Sequence, residues 1–232
     1  MKIFIDAGHN FSGADTGAQG NGIREQDIAF MIADKLKALF VSGGHSVKMS
    51  RNSADENVGK TVSESINKRA ALSNGWGAEL FISIHCNAGG GKGTETLVYS
   101  RSSKAYEYAK DVQKCIVARI GTVDRGVKER SDLGVLRLTN CPALLVETAF
   151  IDNANDSVFL KEKQDDFARA IYEGVTGEVA TSELTDVNDI VWELENRGII
   201  TDKALWIDKL GEDINAYWLA RKAINYIKER NV

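Results

Sequence analysis

Apolar positions along this chain follow two rhythms. Short runs rich in β-branched and aromatic residues occur as KIFIDA at the amino terminus, LFISIHCN at residues 80–87 and ALLV at residues 143–146. They are too short for typical helices and read as buried strands. Between them, apolar residues recur at helical spacing. Ile28, Ile32, Leu36, Leu39 and Phe40 mark a helix that opens at Glu25 and stops at Gly43 and Gly44, and Val62, Ile66, Ala70 and Leu72 mark another ending near Asn74 and Gly75. Helices are also predicted over 105–120 and 165–175, and strands over 45–50, 94–99 and 133–138. Residues 8–22 hold five glycines and read as a long flexible loop, and 121–132 as a charged loop. Strands separated by helices at this rhythm predict an α/β fold with a twisted, mostly parallel or mixed sheet and helices on both faces.

The rhythm changes near Asp186. Three helical stretches, 186–197, 202–210 and 213–229, carry Trp192, Leu194, Trp206, Tyr217, Trp218 and Ile224, with no strand signal. A boundary at 177–181 divides the chain into a domain of residues 1–177 and a small all-helical module of residues 182–232. From Glu178 to Val232 there are 7 Lys and Arg against 11 Asp and Glu, so the formal charge of -4 lies wholly in the tail. Aromatic residues at helical spacing read as the core of a three-helix bundle. Such a module is expected to act through a shaped surface rather than through charge, with self-association as the alternative.

Composition narrows the function classes. At 43% hydrophobic and 27% charged, the 232 residues describe an ordinary globular protein. No basic block or interleaving of aromatic and basic residues offers a footprint for nucleic acid. No apolar run approaches the roughly 18 residues of a membrane helix. Asp6 interrupts the first apolar run, so that run reads as a folded strand in a chain made in the cytoplasm, not as a signal peptide. Cys86, Cys115 and Cys141 are odd in number and lack CxxC spacing, which supports neither a disulfide framework nor a cysteine zinc knuckle. Cys86 follows His85 directly and is expected on the opposite face as a small buried thiol.

Candidate chemistry collects at strand ends. The three apolar runs deliver His9, His85 and Glu147, and open α/β sheets gather ligands beyond the carboxyl ends of their strands. Two imidazoles and a carboxylate are zinc ligands of a familiar kind, and a fourth, open position would acidify water. A further, unligated carboxylate would manage protons. Glu25, across one loop from His9, completes the set with one carboxylate to spare; a favourable interaction with the helix dipole is its other explanation. Spacing alone does not decide which glutamate is the ligand.

Six stretches together resemble one family: IDAGHN at 5–10, a Gly-x-x-Glu at 22–25, SIHCN at 83–87, RGVK at 125–128, VLR at 135–137 and VETAFIDN at 146–153. Their order and residue types are similar to those of the zinc-dependent N-acetylmuramoyl-L-alanine amidases of the type-3 amidase family, cell-wall hydrolases that include many phage endolysins and bacterial autolysins. The resemblance spans roughly residues 1–176. It implies one zinc ion held by His9, Glu25 and His85, with Glu147 as the catalytic carboxylate. It also implies peptidoglycan as substrate and action on the bacterial wall after release. Asn87, two residues beyond a ligand, is a candidate substrate-binding residue. Arg51 and Arg69 are expected in ion pairs or backbone contacts. Asn10, Phe11 and Ala149 stand where the family often has glycine. A zinc peptidase cutting within the stem peptide and a non-catalytic wall-binding protein are the alternatives.

Overall fold

The computed structural model describes residues 1–178 and, beyond them, Leu194, Ile200, Thr201, Leu205 and Trp206. The rest of the three helical stretches expected after residue 186, with Trp192, Tyr217 and Trp218, lies outside the described residues. The chain divides into two units, Met1–Ala180 and Thr181–Val232.

The elements of the first unit run β1 (Lys2–Ala7), β2 (Gln19–Gly20), β3 (Ile23–Arg24), α1 (Glu25–Ser42), β4 (Ser46–Met49), α2 (Val62–Trp76), β5 (Leu80–Asn87), β6 (Thr94–Val98), α3 (Ala105–Ile120), β7 (Asp124–Glu129), α4 (Gly134–Leu138), β8 (Ala143–Phe150), α5 (Ala154–Glu162) and α6 (Gln164–Thr176). Six strands form one sheet in the order β4-β1-β5-β8-β6-β7. Its pairings are parallel except between β6 and β8, so β6 and β7 run against the other four.

Alternation along each strand sorts side chains onto the two faces. Ile3, Ile5, Leu80, Ile82, Ile84, Leu144 and Val146 pack into one cluster with residues of α1, α3 and α6. Phe4, Phe81, Leu145 and Leu97 face the other way, against Val135 and Leu136 of α4 and Ile66 and Trp76 of α2. Both faces are therefore covered by helices, as the rhythm of the sequence predicted. Cys86 is buried in the first cluster, opposite His85, and burial pushes its thiol well above the usual range.

Three expectations are corrected and one element is added. Residues 133–138 form α4, not a strand: Val135 and Leu136 fill the second core, and Gly134 lies so close to Ile66 that a Cβ there would stand 2.5 Å from its Cγ2. The charged loop contains β7, an edge strand whose residues stay half-buried or exposed and so leave no apolar alternation to read. The glycine-rich loop after His9 is stiffened by the short ribbon β2–β3. Helix α5 is an addition, started by Asn153, whose side chain accepts from the amides of Asn155 and Asp156.

Helix α6 packs on α3 at Gly174, where an added Cβ would stand 2.4 Å from Val112 Cα. Alanine ordinarily gains about 1 kcal/mol over glycine inside a helix. Here Gly174→Ala is expected to lose about 1–3 kcal/mol through overpacking. Urea unfolding decides the sign, and a stabilised variant would show that this crossing can open freely.

Candidate active site

On the face covered by α2 and α4, each central strand turns from apolar to polar along its length. Phe4 is followed by Asp6, Phe81 by Ser83 and His85, and Leu145 by Glu147. The reversed strand β6 shows the mirror pattern, with Glu95 before Leu97. Glu147 is the register partner of His85 on one side and of Glu95 on the other. Parallel carboxyl ends and the amino end of one antiparallel strand thus form a single polar row.

His9 lies just past β1 in the left-handed region, at φ 63, which costs a non-glycine residue about 1–3 kcal/mol. Two buried arginines hold this backbone. Arg69 donates from Nη2 to His9 O at 2.6 Å and from Nη1 to Ala7 O at 2.7 Å and Asp6 Oδ1 at 2.6 Å. Arg51 donates to Gly8 O at 3.3 Å and Gln26 O at 2.7 Å, and burial together with repulsion from Arg69 pushes its pKa down to about 10. Arg69 makes both an ion pair and backbone contacts, and Arg51 makes backbone contacts, as expected of them. The loop beyond is pinned by Asn10, whose buried side chain donates to Ala14 O and Gly59 O and accepts from Val58 N. An amide there supplies bonds that a glycine could not.

Three donor side chains converge. His9 Nε2 lies 3.0 Å and His85 Nδ1 2.9 Å from Glu25 Oε1, and the set of ligand atoms falls within 4.8 Å. Cys86 N donates to Glu25 Oε1 and Ala18 N to Oε2, which fixes the carboxylate from behind. Asp15 Oδ1 stands 3.2 Å from His9 Nδ1. An acceptor at that nitrogen places its proton on Nδ1 and aims Nε2 into the cluster. Burial opposes charge on His9, yet hydrogen bonds and attraction from Asp15 and Glu25 raise it to about 10. Burial likewise opposes charge on Glu25, but its bonds to His85 and His9 hold it below the usual carboxylate range. Two glycines make room: a Cβ on Gly8 would stand 2.6 Å from His85 Nε2, and one on Gly17 2.7 Å from Glu25 Oε2. Two imidazole nitrogens and a carboxylate oxygen in a glycine-walled cradle form a group that could hold a metal ion.

Glu147 stands apart from that cluster. Its Oε2 is enclosed and has no hydrogen-bond partner among the described residues. Burial, with repulsion from Glu25 and Glu95, raises its pKa to about 7 against the attraction of His85 and His9. Glu95, by contrast, accepts Arg125 Nε at 2.6 Å and Lys128 Nζ at 2.5 Å on one oxygen and Asn87 Nδ2 at 3.1 Å on the other. The candidate residue Asn87 therefore bridges His85's strand to Glu95. Asp15 and Glu95 escaped the sequence reading because each lay in a stretch read for its glycines or as a plain strand. A lone carboxylate in the short strand TETLV was the available signal for Glu95.

Comparisons with known proteins agree with this geometry. The family model described as N-acetylmuramoyl-L-alanine amidase matches residues 3–177. The chain is 38% identical over 164 residues to the sporulation-specific N-acetylmuramoyl-L-alanine amidase of Bacillus subtilis, covering 69% of this chain and 60% of that protein. It is 40% identical over 180 residues to an endolysin of Bacillus phage SPP1, covering 74% and 62%. The chain thus spans about three fifths of the length of these curated relatives. An N-acetylmuramoyl-L-alanine amidase structure from Clostridium difficile 630 superposes with a TM-score of 0.68 at 31% identity, covering 78% of this chain and 97% of that one. The CwlD amidase of Clostridioides difficile, solved with the GerS lipoprotein, gives 0.70 at 30% identity, covering 76% and 96%. With three quarters of its length matched by the family model and its polar row assembled on the matching fold, this chain belongs to the N-acetylmuramoyl-L-alanine amidase family.

Proposed function

We propose that the protein hydrolyses the amide joining the lactyl group of N-acetylmuramic acid to L-alanine in peptidoglycan, acting on the bacterial cell wall. The observation that carries this reading is Glu147, one of whose oxygens is enclosed without a hydrogen-bond partner among the described residues, in register beside His85 of the candidate metal-binding group. His9 Nε2, Glu25 Oε1 and His85 Nδ1 are the proposed ligands of one zinc ion, a set that leaves a fourth position open. Bound there, zinc would supply a Lewis acid for the amide carbonyl and lower the pKa of water. The remaining chemistry belongs to the chain. The Glu147 carboxylate accepts a proton from the attacking water and passes it to the departing amine nitrogen, a task suited to a carboxyl whose pKa lies near neutrality. Asp15 keeps the His9 ring oriented, and the Gly8 and Gly17 walls let the three donors close together.

Digestion of purified sacculi tests the reaction. New amino-terminal L-alanine without new reducing ends is expected, abolished by chelation and restored by zinc. Amino termini from within the stem peptide would favour a peptidase, and reducing ends a glycosidase. The two glutamates separate by metal content. Glu147→Gln should retain zinc while kcat falls by about 10²- to 10⁴-fold, the usual range for lost acid-base catalysis. Glu25→Ala should lose most of its metal, and equal zinc loss in both variants would refute the division of roles.

Two pH effects follow from the same groups. A carboxyl raised to about 7 holds its proton more tightly folded than unfolded, so it subtracts stability as pH rises from its ordinary value through 7. Metal-free Glu147→Gln should therefore melt no lower than metal-free wild type above pH 7. His9, raised to about 10, keeps a proton at neutral pH that zinc must displace. Zinc affinity measured by competition should rise by about tenfold per pH unit between pH 6 and 8; a flat dependence would show that His9 does not hold that proton in the metal-free protein.

A further inference from the structure

The segment Arg125-Gly126-Val127-Lys128 of β7 places two cations where a regular strand would place one. Side chains two apart share a strand face, so Arg125 would lie with Val127, which packs against the α1/α3/α6 core, and Lys128 would point the other way. Both instead reach Glu95 Oε2. An inserted residue is the cause. Thr94 pairs with Asp124 but Thr96 with Val127, and Gly126 sits at φ 74. A bulge of this kind re-aims a side chain, and φ near 74 is readily adopted only by glycine. The turn is fixed from outside: Gly126 N donates to Asp124 Oδ1, which Gln113 Nε2 also reaches. The Arg125 guanidinium lies 4.8 Å over the ring of Phe150.

Charge and reach define what this cluster fits. Burial opposes ionisation of Glu95, but hydrogen bonds from Lys128 and Arg125 hold it below the usual carboxylate range. One carboxylate facing two cations leaves one positive charge in excess. The carboxylate is buried, while the Lys128 and Arg125 side chains are 42% and 33% exposed, so the excess is presented to solvent. Glu95 lies one strand beyond Glu147 and two beyond His85, about 5 and 10 Å at ordinary strand spacing. An extended peptide covers that distance in about two or three residues.

We propose that Lys128 and Arg125, gathered by Glu95, form an anion seat for a carboxylate on the peptide side of the substrate, carried by the second residue beyond the scissile amide. The seat rests on the amidase reading and adds to it a preference among stem peptides. Glu95 is a positioning residue, and the two cations are the binding groups.

The test uses the full-length zinc-loaded protein and N-acetylmuramoyl peptides whose second residue bears either a free carboxylate or a carboxamide, with release of the peptide amine followed. Wild type is expected to favour the carboxylate by about 10- to 100-fold in kcat/KM, chiefly through KM, the range of a charge-assisted contact. Lys128→Gln should remove that preference by slowing the carboxylate substrate, and Lys128→Arg should restore it. Thermal melting confirms that each variant is folded. Absence of preference in wild type, or equal loss on both substrates in Lys128→Gln, overturns the seat while leaving the amidase reading intact. Failure of wild type to release the peptide amine from either substrate overturns the amidase reading and the seat with it.

Discussion

The buried ion pair between Asp6 and Arg69 is the contact on which the site depends. Asp6 ends the apolar part of β1, and Arg69 reaches it from α2 across the second core at 2.6 Å, with Ser83 Oγ donating to the other oxygen at 2.7 Å. Burial would raise Asp6, but Arg69 and Ser83 lower it below the ordinary range. Leaving either charge buried alone would cost about 3–5 kcal/mol, so the two must stay together. Holding them together also orients the rest of the guanidinium, whose remaining donors capture the carbonyls of Ala7 and His9. The left-handed turn that swings His9 toward Glu25 is thereby secured from the α2 side.

From that anchor the polar row runs across the sheet and gives three carboxylates three different environments. Glu25 is surrounded by imidazoles and backbone amides and stays ionised. Glu147 has one oxygen enclosed without a hydrogen-bond partner among the described residues, and it sits near neutrality. Glu95 receives two cations and stays ionised although buried. Environment, rather than residue type, separates the ionisation of the three carboxyl groups.

The reversal of β6 and β7 matters as much as the parallel strands. Carboxyl ends of parallel strands open a crevice, and an antiparallel strand brings its amino end to the same edge. Glu95 can stand beside Glu147 only because β6 runs backwards against β8, and Arg125 and Lys128 can reach it only because β7 carries an extra residue.

The sequence by itself determined the central strands and the long helices, the apolar runs that lead into His9, His85 and Glu147, and Glu25 at the start of a helix, although β8 continues past Glu147 to Phe150. Those features leave local signals: apolar alternation, helical periodicity and a polar residue closing an apolar run. It could not reveal β7, because a half-buried edge strand has no apolar period, nor α4, because a short apolar run fits either element until its neighbours are known. The two glutamates also looked alike in sequence. Only tertiary structure set them apart, by aiming two histidine nitrogens at Glu25 and enclosing Glu147 Oε2 without a hydrogen-bond partner among the described residues. Ionisation depends on burial and neighbouring charge, and both arise only when residues more than a hundred positions apart are brought side by side.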